Sequence, residues 1–213
     1  MFNKTEIEQQ VAEFLLQIKA IKLQPTNPFT WSSGWKSPIY CDNRITLSHP
    51  TIRTYIRQQL SELVQEMFGP VGCIAGVATA GIPQGALVAQ ELGLPFIYVR
   101  AKPKEHGMGN LIEGDILPGR RVVLVEDTIS TGKSSLQAVD ALRDADYDVA
   151  GLVAIFSYGF EVATNSFKEA NCPFATLSNY GALIKYASKN QYISENDLKL
   201  LKDWVKNPSV WGK

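Results

Sequence analysis

From about residue 70 onward, short apolar runs alternate with stretches whose apolar residues return every three or four positions. The runs at 73–77, 96–99, 122–126, 149–156 and 174–177 have strand length and are rich in β-branched or aromatic residues. Several are apolar almost without interruption, as strands buried on both faces are. Between most of them, 82–92, 134–144 and 162–170 carry helical spacing. Such alternation predicts a parallel sheet wrapped by helices with right-handed crossovers. Upstream, Ile7, Val11, Phe14, Leu15 and Ile18 mark an amphipathic helix reaching about Ala20, opened by Thr5 and Glu8 as a capping box. A second helix starts near Pro50, capped by Ser48 or His49, with Ile52, Ile56, Leu60, Val64 and Met67 on one face. Between the two, Pro25, Pro28, Gly34 and Pro38 break the chain into brief strands and turns, a small hood over about 20–48. Helices at 180–189 and 195–205 end the pattern. No repeat or linker interrupts it, so the expectation is one α/β domain over 1–213, with a parallel sheet core flanked by helices at about 70–180 and an N-terminal hood.

Candidate chemistry gathers in the turns after the strands. The run Val122 to Val125 leads into Glu126 and Asp127, then into Thr128, Ile129, Ser130, Thr131, Gly132, Lys133 and Ser134, where helical spacing begins. Ligands of open parallel sheets collect outside the carboxyl ends of strands, and the amides of a strand-to-helix loop favour an anion. The two acids are suited instead to the hydroxyls of a ribose ring. The segment therefore reads as a sugar-phosphate cradle. Its ending matches a Walker A loop, but Asp127 stands where that motif needs glycine, and a carboxylate there would repel a nucleoside triphosphate. A second turn, Gly76 to Pro83, again offers small residues that let the backbone approach a ligand. In the segment 100–114, Gly107, Gly109 and Gly114 loosen a polar stretch that reads as a lid. Arg100, Lys102, Lys104 and His106 share parity, so in an extended strand they would converge on a multiply charged group such as diphosphate.

Composition narrows the classes. A chain of 213 residues with 45% hydrophobic content can bury a full core. Lys plus Arg equals Asp plus Glu at 21 each, without the basic field that nucleic-acid binding needs, so no nucleic-acid partner is expected. No apolar run approaches the roughly 20 residues of a membrane span, and no membrane partner is expected. The start is polar and acidic, unlike a signal peptide. Cys41, Cys73 and Cys172 form no paired spacing, which suggests neither disulfides nor a zinc site. A cytoplasmic protein is the expectation, and the acceptor-like Asn3-Lys4-Thr5 then carries no meaning. Only two histidines and no Gly-x-Ser-x-Gly elbow are present, so a hydrolase triad finds no support.

The run from Val123 to Ser134 resembles the phosphoribosyl-diphosphate motif of the type I phosphoribosyltransferases. Two further segments, Phe29 to Arg44 and Tyr98 to Gly114, resemble the orotate phosphoribosyltransferases, and the likeness covers about residues 5 to 185. It implies displacement at the anomeric carbon of phosphoribosyl diphosphate by a ring nitrogen of orotate, with diphosphate released and no protein nucleophile. It further implies Lys104 and His106 as catalytic residues. Phosphoribosyl diphosphate would be bound by Arg100, Lys104, His106, Glu126, Asp127, Thr128, Ile129, Ser130, Thr131, Gly132, Lys133 and Ser134. Orotate would meet Ser130 and the hood near Ile39 and Tyr40. Mg²⁺ is implied as cofactor, held by substrate oxygens and water with no protein metal cage. A homodimer sharing its lid between subunits is implied as well. The chain departs from some members at three places: Ala80 and Ser32 replace lysines, and no arginine stands on the strand at 155–158. Orotate's carboxylate must then find Lys36, Arg44 or backbone amides. Two alternatives stay open, a phosphoribosyltransferase for another nucleobase and a non-catalytic sensor of phosphoribosyl diphosphate.

Overall fold

The computed structural model describes residues 3–31, 34–102 and 111–211. Helix α1 (Lys4–Gln17) opens on Asn3, whose side chain accepts from the Glu6 amide at 3.4 Å and donates to the Glu6 carboxylate at 3.0 Å. The capping box expected of Thr5 and Glu8 is therefore displaced: an Asn in non-helical backbone caps as well as a Thr, and Thr5 lies inside the helix. Strands β1 (Ile21–Leu23), β2 (Phe29–Thr30), β3 (Lys36–Ser37) and β4 (Ile39–Cys41) form two antiparallel pairs, β1 with β4 and β2 with β3. These pairs are the hood, and its prolines hold each strand to two or three residues. A 3-10 turn over Asn43–Ser48 leads into α2 (Pro50–Phe68), with Pro50 in its first turn. Met67 is 45% exposed, because the buried face of α2 ends instead on Phe68, packed where Gly151 leaves room for its ring.

The core follows as β5 (Cys73–Val77), α3 (Gly81–Leu92), β6 (Phe96–Val99), β7 (Ile112–Glu113), β8 (Arg121–Ile129), α4 (Lys133–Asp144), β9 (Asp148–Ser157), α5 (Glu161–Glu169), β10 (Phe174–Asn179), α6 (Tyr180–Lys189) and α7 (Glu195–Lys206). Six strands lie in the order β10-β9-β8-β5-β6-β7, all parallel except β7, which runs antiparallel to β6. Strand β7 is too short for any period to announce it. Val123, Val125, Val153 and Ile155 face one core with α1, α2, α3 and α6, while Val122, Leu124, Leu152 and Ala154 face another with α4 and α5. Burial on both faces is why these strands read as unbroken apolar runs. Each buried branched side chain contributes roughly 1.5–3 kcal/mol.

Two features position the site. The chain steps from β5 outward to β6 and β7, then returns to the other side of β5 for β8. The sheet therefore has its reversal of strand order between β5 and β8, the crevice where α/β sheets hold ligands. Helix α7 folds back under the hood, where Trp204, fully buried, lies 5.3 to 6.0 Å from the rings of Trp31, Tyr158, Phe160 and Tyr180. Its indole N–H donates to the Lys36 carbonyl at 3.2 Å, tying the last helix to β3.

Candidate active site

Strand β8 does not stop at Glu126. It continues to Ile129, because the long β9 pairs with it through Thr128 opposite Phe156 and Ile129 opposite Ser157. The acids and Thr128 are thus strand residues held in register. Glu126 is buried, with Oε1 accepting the Asp127 amide at 2.9 Å and Oε2 accepting the Ser135 hydroxyl at 3.4 Å. Burial and the adjacent Asp127 carboxylate push its pKa well above the ordinary carboxylate range. Gly81 packs against the Val125 carbonyl and Glu126, and any side chain there would collide with β8. Asp127 is half-buried, and its Oδ2 accepts the Thr128 hydroxyl at 3.2 Å.

Beyond Ile129 the backbone turns. The Thr131 amide donates to Ser130 Oγ at 2.6 Å, and Gly132 takes φ +80° as it enters α4. That left-handed residue is backed by Phe167, whose Cε2 would stand 2.8 Å from an added Cβ. No side chain caps α4, so the amides of its first turn are left for a ligand. Helix α3 also begins without a side-chain cap, at Ala80, just past the cis peptide between Ala78 and Thr79. Two helix N-termini therefore lie at the carboxyl edge of β5 and β8, each favouring negative charge.

Three cavities adjoin this segment and share walls pairwise. One of about 310 Å³ is lined by Thr128, Ser130, Thr131, Gly132, Lys133, Ser134, Ser135 and Gln137, the start of α4. A second, also about 310 Å³, is lined by Cys41, Asp42, Arg44, Ala78, Thr79, Ala80, Glu126, Asp127, Thr128 and Ser134. The third, about 550 Å³, lies under the hood between Thr30, Trp31, Trp35, Tyr40, Cys41, Ser130, Thr131 and Tyr158. Thr128 and Ser134 divide the first from the second, Cys41 divides the second from the third, and Ser130 and Thr131 divide the third from the first. An amide-rich cavity, an acid-lined cavity and an aromatic slot thus meet around one turn. Cys41 Sγ lies 3.8 Å from Thr128 Oγ1, and burial raises its pKa far out of the reactive range.

The sequence-predicted residues divide as follows. Glu126, Asp127, Thr128, Ser130, Thr131, Gly132, Lys133 and Ser134 all line one or more of these cavities. Ile129 does not: its side chain is fully buried, and its carbonyl accepts the Tyr158 amide at 3.0 Å. Tyr40 lines the aromatic slot, whereas Ile39 is fully buried, its carbonyl accepting from Ser37 Oγ at 2.8 Å and Trp31 Nε1 at 3.2 Å. Strand β6 ends at Val99 and the chain bends at 101–102, so the extended strand expected to carry four cations does not continue from it. Arg100 pairs with Glu113 of β7 at 3.2 Å and lines a further cavity that shares Ala78 and Ser134 with the acid-lined one. Lys104 and His106 lie outside the described residues, as does Ser32. Arg44 is held by Asp42 at 2.7 and 2.8 Å and faces the acid-lined cavity rather than the aromatic slot. Lys36 Nζ bonds Thr30 Oγ1, on the wall of the slot, at 2.8 Å. The sequence assigns no individual role to Trp35 and Asn43, within the Phe29–Arg44 segment, or to Tyr158. Asn43 Nδ2 donates to the Asp127 carbonyl at 2.9 Å and to Thr128 Oγ1 at 2.8 Å, a link across 84 and 85 positions that no local pattern carries.

A Phosphoribosyl transferase domain model matches residues 46–181. A curated orotate phosphoribosyltransferase from Phocaeicola vulgatus is 58% identical over 205 residues, covering 96% of this chain and 97% of its own. One from Listeria innocua is 53% identical over 207 residues, covering 97% and 99%. The crystal structure of orotate phosphoribosyltransferase from Aeropyrum pernix has a TM-score of 0.73 at 28% identity, covering 86% of this chain and 99% of that one. Identity above one half across nearly the whole of both chains, joined to the same fold, places this chain in the orotate phosphoribosyltransferase family.

Proposed function

We propose that the three adjoining cavities take the three parts of one reaction complex, and that the chain transfers the phosphoribosyl group of phosphoribosyl diphosphate to orotate. The observation that carries this is the shared walls: the first turn of α4 receives the 5-phosphate, Asp127 the ribose hydroxyls, and the aromatic slot a flat base. A bond forms from a ring nitrogen of orotate to the anomeric carbon as the bond from that carbon to diphosphate breaks, and the proton of that nitrogen passes to water. The electron pair of the broken bond leaves with diphosphate. The chain's contribution is alignment and positive charge set where the leaving group gains negative charge, from Arg100, Lys104 and His106 together with the α3 N-terminus. Lys36, which bonds Thr30 on the wall of the slot, is the partner proposed for orotate's carboxylate.

Hard oxygen donors, the Asp127 carboxylate and the Thr128 and Ser134 hydroxyls, line the acid-lined cavity and suit Mg²⁺. Among the described residues no three acidic, His or Cys side chains cluster tightly enough to hold a metal alone. When bound on the oxygens of the substrate, Mg²⁺ would lie beside Asp127 and would supply positive charge to offset the negative charge of the diphosphate. Among the described residues no helix is long and apolar enough to cross a membrane.

Incubation with phosphoribosyl diphosphate, Mg²⁺ and a panel of bases tests the reading. Orotate is expected to be converted to its nucleoside monophosphate with release of diphosphate. Turnover of hypoxanthine, adenine or uracil in preference to orotate would overturn the base assignment.

A further inference from the structure

Behind Asp127 lies a chain of three buried polar side chains drawn from two separate segments, α3 and the 3-10 turn. Gln84 on α3 donates to Thr46 Oγ1 at 3.2 Å, and Thr46 Oγ1 donates to the Asn43 carbonyl at 2.6 Å. Asn43 in turn reaches both Asp127 and Thr128 through Nδ2. All three side chains are almost wholly buried, at 1% exposure for Gln84 and 0% for Thr46 and Asn43. Burying polar groups is costly unless they are hydrogen-bonded, and among the described residues Asn43 Oδ1 and Gln84 Oε1 have no partner, so these amides are kept at a cost in stability.

The chemistry of the donors fixes what Asn43 does. The atom facing the Asp127 carbonyl must be a donor, so the amide orientation is forced by its partner. Its second proton then points at Thr128 Oγ1, which must accept. A hydroxyl that accepts from an amide still has one proton to give, and the strong acceptor within reach is Asp127 Oδ2 at 3.2 Å. We propose that Asn43 is a positioning residue for the ribose-binding carboxylate: it holds the Asp127 backbone with one proton, and with the other turns the Thr128 hydroxyl toward the Asp127 side chain. The inference rests on the reading that Asp127 receives the ribose hydroxyls. One Asp127 oxygen is thereby engaged from within the protein and the carboxylate is held in a single rotamer before substrate arrives. Preorganisation of this kind lowers the ordering cost of binding.

A double-mutant cycle separates this role from a merely structural one. Binding of phosphoribosyl diphosphate, and of inorganic diphosphate as the probe lacking ribose, is measured without Mg²⁺ for the native chain, Asn43→Ala, Asp127→Asn and the double variant. Asn43→Ala is expected to weaken phosphoribosyl diphosphate about tenfold and diphosphate less than twofold, and to add nothing once Asp127 is already Asn. Asn43→Ser, which is smaller and keeps one hydroxyl donor, is measured in the same cycle in case the alanine variant does not fold; it is expected to lose less than tenfold. If Asp127→Asn leaves phosphoribosyl diphosphate binding unchanged, the reading of Asp127 fails. If Asp127→Asn weakens it but the Asn43 effect is absent, equal for both probes, or additive, the positioning role is overturned while that reading stands.

Discussion

At the scale of the residue, the acid pair at the end of β8 is asymmetric. Glu126 is enclosed, with both oxygens bonded to the protein, while Asp127 opens on the cavity and on Thr128. The sequence presents two adjacent carboxylates as equals. Only the strand's continuation to Ile129, and with it alternate side chains on opposite faces, tells them apart. The raised pKa of Glu126 has a consequence for stability. A carboxyl whose pKa is higher in the folded chain than in the unfolded one binds its proton more tightly when folded, so stability falls as pH climbs from the ordinary carboxylate range toward the folded pKa. Glu126→Gln removes the titration and keeps the bond from the Asp127 amide, while its NH2 group donates to Ser135 Oγ in place of the bond that the carboxylate accepts. Urea midpoints followed between about pH 5 and 9 should decline less steeply for the Gln variant than for the native chain. Equal slopes would mean that Glu126 stays charged in the fold.

At the scale of the element, the strand-to-helix turn works through one left-handed residue. Gly132→Ala must adopt φ near +80° and also crowd Phe167. A loss of about 1–3 kcal/mol in stability is expected from the backbone alone, with a rise of roughly tenfold in KM for phosphoribosyl diphosphate as the first-turn amides shift. Adding Phe167→Leu should relieve the crowding and recover only part of the stability, since the dihedral penalty remains. Full recovery in urea unfolding would assign the whole effect to packing. The parallel strands and their helices were legible because burial on both faces writes itself as unbroken apolar runs, and helices α3 to α7 as a period near 3.6. What escaped were features set by distant contact. Strand β7 has two residues and exists because β6 offers it an edge. Met67 exchanged places with Phe68 because the ring had a space at Gly151. The aromatic cluster beneath the slot joins Trp31, Tyr158 and Trp204 from three remote segments, each of which reads locally as an ordinary core aromatic.

At the scale of the whole molecule, the resemblance implies a dimer in which the lid of one subunit serves the site of the other. If the lid acts in trans, Lys104→Ala and Asp127→Asn proteins, each nearly inactive, should regain part of their turnover when mixed, because each heterodimer then holds one site with both residues intact. The measurement needs subunit exchange shown by differently tagged chains. Exchange without recovered turnover would place the lid in cis or remove Lys104 from the chemistry.

The contact between Trp204 and the Lys36 carbonyl spans 168 positions. During synthesis the sheet, the turn after β8 and the hood strands all emerge before α7, and the floor beneath Trp31 and Tyr158 arrives after them. If the slot takes the base, its floor is therefore completed after the walls of the proposed sugar site. A protein ending after Ser194 would leave that aromatic cluster open on one side, so its KM for orotate should rise well beyond its KM for phosphoribosyl diphosphate. On that reading the sugar site would form before the slot that uses it, and the arrival of α7 is what would couple the two.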